Sequence, residues 1–131
     1  MTAFRKMIAT GVAALTMAAA PGFAHAASSF EGIWNRGDGK ARVRIKPCGG
    51  GLCAVNIWIR QGTPHEKVGD ILEMKVSETQ PSHWTGTAYD PQRKLNMKLT
   101  VKVTDSSMVT RGCLLMGLAC KSMTWTRADD A

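Results

Sequence analysis

Apolar and polar residues alternate with a period of two along most of this chain. In "ARVRIKP" (41–47), Ala41, Val43 and Ile45 alternate with Arg42, Arg44 and Lys46. In "KLNMKLTVKV" (94–103), Leu95, Met97, Leu99, Val101 and Val103 alternate with Asn96, Lys98, Thr100 and Lys102. "ILEMKV" sets Leu72, Met74 and Val76 against Glu73 and Lys75, and "AVNIWI" sets Val55, Ile57 and Ile59 against Asn56 and Trp58. Successive side chains of a strand point to opposite faces, so such alternation marks half-buried antiparallel strands. No segment of similar length carries a helical period; one helical turn at most is expected, in "TPHEKVGD" (63–70).

Turn-forming stretches punctuate these runs: "RGDGK", "PCGGGLC", "QGTPHEKVGD", "TQPS", "YDPQR", "TDSS" and a "LMGL" kink at 115–118. They divide the chain into eight strands at about 30–36, 41–47, 53–60, 69–79, 83–90, 94–104, 107–116 and 118–128. The expected fold is all-β, an eight-stranded antiparallel up-and-down barrel. Closure removes the two exposed edges that an open sheet would leave. A barrel of eight strands is either just filled by side chains or holds one small ligand. The phase of the strands points Met74, Met97 and Leu99 inward as candidate ligand contacts. Trp84, which opens a strand after "QPSH", is expected near the mouth.

The first 26 residues belong to another class of segment. Arg5 and Lys6 precede an apolar run over 7–20, Pro21 and Gly22 break it, and "AHA" offers small residues at a cleavage site. This is the pattern of a secretory signal cut after Ala26. It leaves 27–131 as a single domain, small enough that its surface-to-volume ratio is poor. Without Arg5 and Lys6, 15 basic residues stand against 10 acidic ones, a net charge of +5. The basic stripes Arg42, Arg44, Lys46 and Lys98, Lys102 read as outer faces that keep a barrel soluble and unpaired; peripheral contact with an anionic envelope surface is the alternative. Nucleic acid is not an expected partner of an exported protein without an aromatic-basic platform.

Export to a periplasmic or extracellular space also decides how the cysteines are read. All four lie in the domain, and an oxidising compartment favours disulfides. Cys48 and Cys53 flank a glycine-rich tip, and Cys113 and Cys120 flank the last tip. Local pairs, 48 with 53 and 113 with 120, suit those addresses, while bridges between the two hairpins remain the other connectivity. The spacings are wrong for paired zinc ligands, and no histidine lies near them. No metal site or cofactor is expected.

At the strand ends the residues become specific. "FEGIWNRGDG", "CGGGLCAVNIWI", "WTGTAYDP" and "RGCLLMGLACKSMTWTR" follow one another in an order that resembles the bacterial exported family known as domain of unknown function 2147. The resemblance covers about 30–128. Members usually carry a longer insertion after the third strand, where this chain has only "RQGTPHEKVGD", and often have glycine where Ala54 stands. The family is described as lipocalin-like, which implies an eight-stranded calyx. Gly32 and Trp34 resemble the first lipocalin signature. The resemblance further implies that Arg127 of the last strand lies across Trp34, a structural role as a cation over an indole face.

Candidate chemistry adds little beside this. His65 and His83 fall in loops, and Asp38, Asp90 and Asp105 fall in turn sequences where side-chain-to-backbone bonds account for them. No motif of a nucleophile elbow, phosphate loop or zinc hydrolase occurs, so an enzyme is not expected. Trp34, Trp58, Trp84, Trp125 and a rich set of methionines either fill the barrel or line a pocket; flexible thioethers suit an irregular apolar ligand. The reading is an exported barrel that binds a small apolar or amphipathic ligand in its calyx. The alternative is a filled barrel that meets a protein or an anionic glycolipid through its outer face.

Overall fold

The computed structural model describes residues 11, 13, 30–114 and 119–128. Apart from positions 11 and 13, the expected signal segment lies outside the described residues, and so does the "LMGL" kink. Eight strands follow in order: β1 Gly32–Arg36, β2 Ala41–Cys48, β3 Gly51–Ile59, β4 Ile71–Gln80, β5 His83–Asp90, β6 Leu95–Val103, β7 Ser107–Leu114 and β8 Cys120–Arg127. Each pairs antiparallel with the next. The barrel closes where β8 returns to β1, with Trp34 opposite Arg127 and Arg36 opposite Trp125. The stretch 63–70 contains turns but no helical turn; its proline and glycine leave too short a run to nucleate one.

Alternation becomes an inner and an outer wall. Ala41, Val43 and Ile45 are buried while Arg42, Arg44 and Lys46 are exposed. On β6, Leu99, Val101 and Val103 are buried while Lys98, Thr100 and Lys102 are exposed. β3 departs from the expected phase. Its inner positions begin as Leu52, Ala54 and Asn56, because they pair with Pro47, Ile45 and Val43 of β2. Val55 faces outward in one row with Ile33, Arg44 and Ile71. A β-bulge opposite Arg42/Val43 then inserts Ile57 as an extra residue. Beyond it Ile59 pairs with buried Ala41, and Trp58 pairs with Arg42 on the outside, 46% exposed. An extra residue reverses which face the later side chains take.

Connections alternate between the two ends. The β2–β3, β4–β5 and β6–β7 turns gather at one end with Phe30 and Arg127. The β1–β2, β3–β4, β5–β6 and β7–β8 connections gather at the other. Each end carries one disulfide, Cys48–Cys53 at the first and Cys113–Cys120 at the second. The β2–β3 tip is a two-residue turn of Gly49 and Gly50, both with positive φ (49° and 84°), which matches the right-handed twist of the strands it joins.

The first end is closed by an apolar plug. Phe30 and Trp34 are fully buried, and Met108, Val103 and Trp84 are nearly so. Phe30 meets Trp84 edge to face at 5.1 Å between ring centroids, and Trp34 Nε1 donates to Phe30 O at 3.0 Å. The Arg127 guanidinium lies 4.2 Å from the centre of the Trp34 ring and donates to Glu31 O and Asp105 O. Gly32 makes room for it. Its φ is +121°, and a Cβ there would stand 3.1 Å from Arg127 Nη1.

Candidate functional site: an apolar calyx with a charged rim

Above the plug the barrel is hollow. A cavity of about 510 Å³ opens toward the second end. Its floor is formed by Val43, Ile45, Met108 and Trp125, and its walls by Leu72, Met74, Met97, Leu99 and Met123. Small inward residues create the space: Ala54 stands opposite Ile45, and Gly112 opposite Leu99. Asn56 and Thr110 interrupt the wall with polar groups, and Lys121, opposite Gly112, lines it toward the mouth. Thr110 Oγ1 accepts a hydrogen bond from Trp125 Nε1 at 3.0 Å.

The residues singled out from sequence fall into two places. Met74, Met97 and Leu99 line the cavity together. Trp84 does not. It belongs to the plug, 5% exposed, with its indole Nε1 buried and without a hydrogen-bond partner among the described residues. The turn before it lies at the closed end, because it is the fourth connection, and every second connection returns the chain there. His83 Nδ1 lies 3.0 Å from Pro81 O, and His65 offers its backbone carbonyl to Arg93. Among the described residues no group of three histidine, cysteine or acidic side chains is placed to hold a metal ion.

The rim was not legible as a site, yet it is the most polar part of the interior. Arg36 follows Trp34 in the inward phase of β1 and reaches over the cavity. It makes a two-pronged ion pair with Glu66 of the β3–β4 connection, its Nη2 2.8 Å from Oε2, and its Nε lies 3.0 Å from Asp38. Arg93 bonds Asp90 at 2.8 Å and the His65 carbonyl, and lies 3.9 Å from Asp70. Gln92 bonds both the N–H and the carbonyl of Ile71, at 2.8 and 2.7 Å. The β3–β4 connection is thus pinned across the mouth, to β1 on one side and to the β5–β6 turn on the other.

These pairs set the ionisation of the rim. The hydrogen bond from Arg36 holds the Glu66 carboxyl below its ordinary value, against an opposing effect of burial, and Glu66 in turn raises Arg36. At Asp90 burial pushes the carboxyl upward, but hydrogen bonds from Arg93 and Gln92 outweigh it and leave it lowered. Asp38 is lowered in the same way by Arg36 and the Lys40 N–H. A signal for Arg36 and Asp90 was present in the sequence: each is a charge in the inward phase at the last position of a strand. Glu66, Asp70 and Arg93 lie in connections, where alternation says nothing.

Fold and site together define a small closed β-barrel with one apolar calyx, its outer wall charged. That is the reverse of a membrane-spanning barrel, whose apolar band faces outward. The chain belongs to the bacterial family described as an uncharacterized protein conserved in bacteria, domain of unknown function 2147, whose model matches residues 32–127. No curated protein matches the chain. A solved structure of a redesigned β-barrel is similar, with a TM-score of 0.51 and 16% identity over 80% of this chain and 96% of that one. At that identity the likeness bears on the fold alone. Two disulfides in a bacterial family are consistent with a place outside the cytoplasm.

Proposed function

We propose that the protein is an exported binding protein, periplasmic or secreted, that holds a small apolar or amphipathic molecule in the calyx. The observation that supports this reading is the cavity of about 510 Å³, within the range of small-molecule sites. Its walls are aliphatic and thioether side chains, which gain by contact with an apolar ligand and adapt to its shape. The hydroxyl of Thr110 accepts from Trp125 and keeps its own proton to offer to a ligand oxygen. The charged rim suits the polar end of an amphiphile. The β3–β4 connection crosses the mouth, and its tethers are ion pairs and hydrogen bonds rather than packed side chains.

The test pairs ligand binding with stability. An environment-sensitive apolar dye should bind the folded protein and quench part of its tryptophan emission. Met97→Trp should abolish that binding with the urea midpoint unchanged, because the cavity has room for the ring. If the parent binds no dye and the variant unfolds at much lower urea, the reading fails, since overpacking a filled core costs about 1–3 kcal/mol.

A further inference from the structure

Five large apolar side chains are notably exposed among the described residues: Trp58, Val68, Leu95, Val109 and Leu114. Four of them stand at the open end. Trp58 is next to last in β3, Val68 lies in the β3–β4 connection, Leu95 begins β6 and Leu114 ends β7. The Gly69 N–H bonds Asn56 O at 2.8 Å, which holds the segment carrying Val68 against β3, two residues before Trp58. Val68 is 64% exposed. The other three tryptophans are buried or half-buried, so Trp58 alone presents an indole to the surroundings.

Charge at this end is arranged in a matching way. Its four carboxylates, Asp38, Glu66, Asp70 and Asp90, are engaged by Arg36 and Arg93. Arg60, Lys67, Lys94 and Lys121 are exposed and form no ion pair among the described residues. With Lys40, seven cations face four carboxylates, a net charge of +3. At the closed end Lys46, Lys102 and Arg127 stand against Glu31, Glu78 and Asp105, which leaves none.

We propose that the open end is a docking face for a bilayer surface that contains anionic phospholipid. Trp58, Val68, Leu95 and Leu114 enter the boundary between headgroups and acyl chains, where an amphipathic indole is favoured. Arg60, Lys67, Lys94 and Lys121 meet the phosphates, each adding attraction at an anionic surface. The acids do not oppose this, because they are already turned toward Arg36 and Arg93. Docked in this pose, the mouth of the calyx faces the acyl chains directly, so the face goes beyond holding a ligand: it names the surface from which an apolar molecule can pass in or out.

The test uses protein exported by its host and purified with the N-terminus it then carries. It is sedimented with phosphatidylcholine vesicles, with and without 30 mol% (roughly, a common anionic content) phosphatidylglycerol. The parent should bind only the anionic vesicles, less so in high salt, with a blue shift of tryptophan emission that Trp58→Phe removes. The triple variant Lys67→Glu, Lys94→Glu, Lys121→Glu should lower partitioning by about tenfold or more. Lys98→Glu, Lys102→Glu, Arg111→Glu on the outer wall, with the same net charge, should lower it far less. Met97→Trp, with its cavity filled, should dock as the parent does, so failure of the binding reading and failure of docking are separate outcomes. Absence of binding to anionic vesicles, equal binding to neutral ones, equal losses in the two triple variants, or bound protein without the Trp58 shift would each overturn the proposal.

Discussion

The two ends of the barrel solve the same problem with opposite materials. At the closed end, Phe30, Trp34, Trp84, Val103 and Met108 fill the lumen, and Arg127 lies flat on an indole with its N–H groups donating to carbonyls. At the open end, Arg36, Glu66, Asp70, Asp90 and Arg93 span the lumen with ion pairs at 13–37% side-chain exposure. A packed apolar plug draws its stability from buried area, about 25 cal/mol per Å². Isolated exposed ion pairs contribute about 0–1 kcal/mol each, and these half-buried ones still add far less than the plug's packed area. One end is therefore held by packed apolar area and the other by polar contacts. The disulfides do not share this asymmetry, since each end has one.

The largest expected effect is at the plug. Trp34→Ala should lower stability by about 3–5 kcal/mol, read as a fall in urea midpoint. Arg127→Ala should destabilise too, and the double variant should lose less than the two single losses together, because the stacking contact is removed only once. Strictly additive losses would show that the cation over the indole contributes nothing, and would leave the plug an apolar cluster only.

The staples come next, and they test whether the asymmetry lies in the side chains or in the chain connectivity. Cys48→Ser with Cys53→Ser, and Cys113→Ser with Cys120→Ser, should each cost about 2 kcal/mol, because the closed loops are of similar length. A cost confined to one pair would place the asymmetry partly in the covalent frame. Free-thiol assay of the parent should find none, and peptide mapping should recover the two local pairs.

The smallest stability effect, and the sharpest functional one, belongs to the rim. Arg36→Met should cost about 1 kcal/mol or less while it speeds entry and release of the apolar dye in stopped flow. Acid should act in the same direction. Glu66 is held below its ordinary 4.5, and Asp38 and Asp90 below their ordinary 3.8. A lowered carboxylate stabilises the folded rim fully above the ordinary value, and that contribution is lost as pH falls through the lowered folded value. Dye exchange should therefore be constant from neutral pH down to about 4.5 and accelerate below it. The same acceleration in Arg36→Met would show that the acid effect does not run through the Arg36–Glu66 pair.

Much of this architecture can be read from residues in order. Turn signals divide the chain into eight strands, and alternation, clearest at 41–47 and 94–103, gives the two walls, since a period of two leaves a strand no choice about which residues share a face. Gly32, Trp34 and Arg127 can be read through the family resemblance, and the cysteine pairs through their hairpin addresses. Tertiary structure decided the rest. Neither Val55 nor Asn56 carries a mark that says which one faces in; the pairing with Val43 and Ile45, and the bulge at Ile57, decided it. Trp84 is buried in the plug rather than at the mouth because the strand direction, not the local turn, fixes its height. The cavity exists because Ala54 and Gly112 face Ile45 and Leu99 across the sheet. The rim exists because Arg36 and Glu66, 30 residues apart, meet over it. Period and turn chemistry are local properties, legible along the chain, whereas an empty volume and an ion pair across a mouth depend on which distant strands close the barrel and at what register.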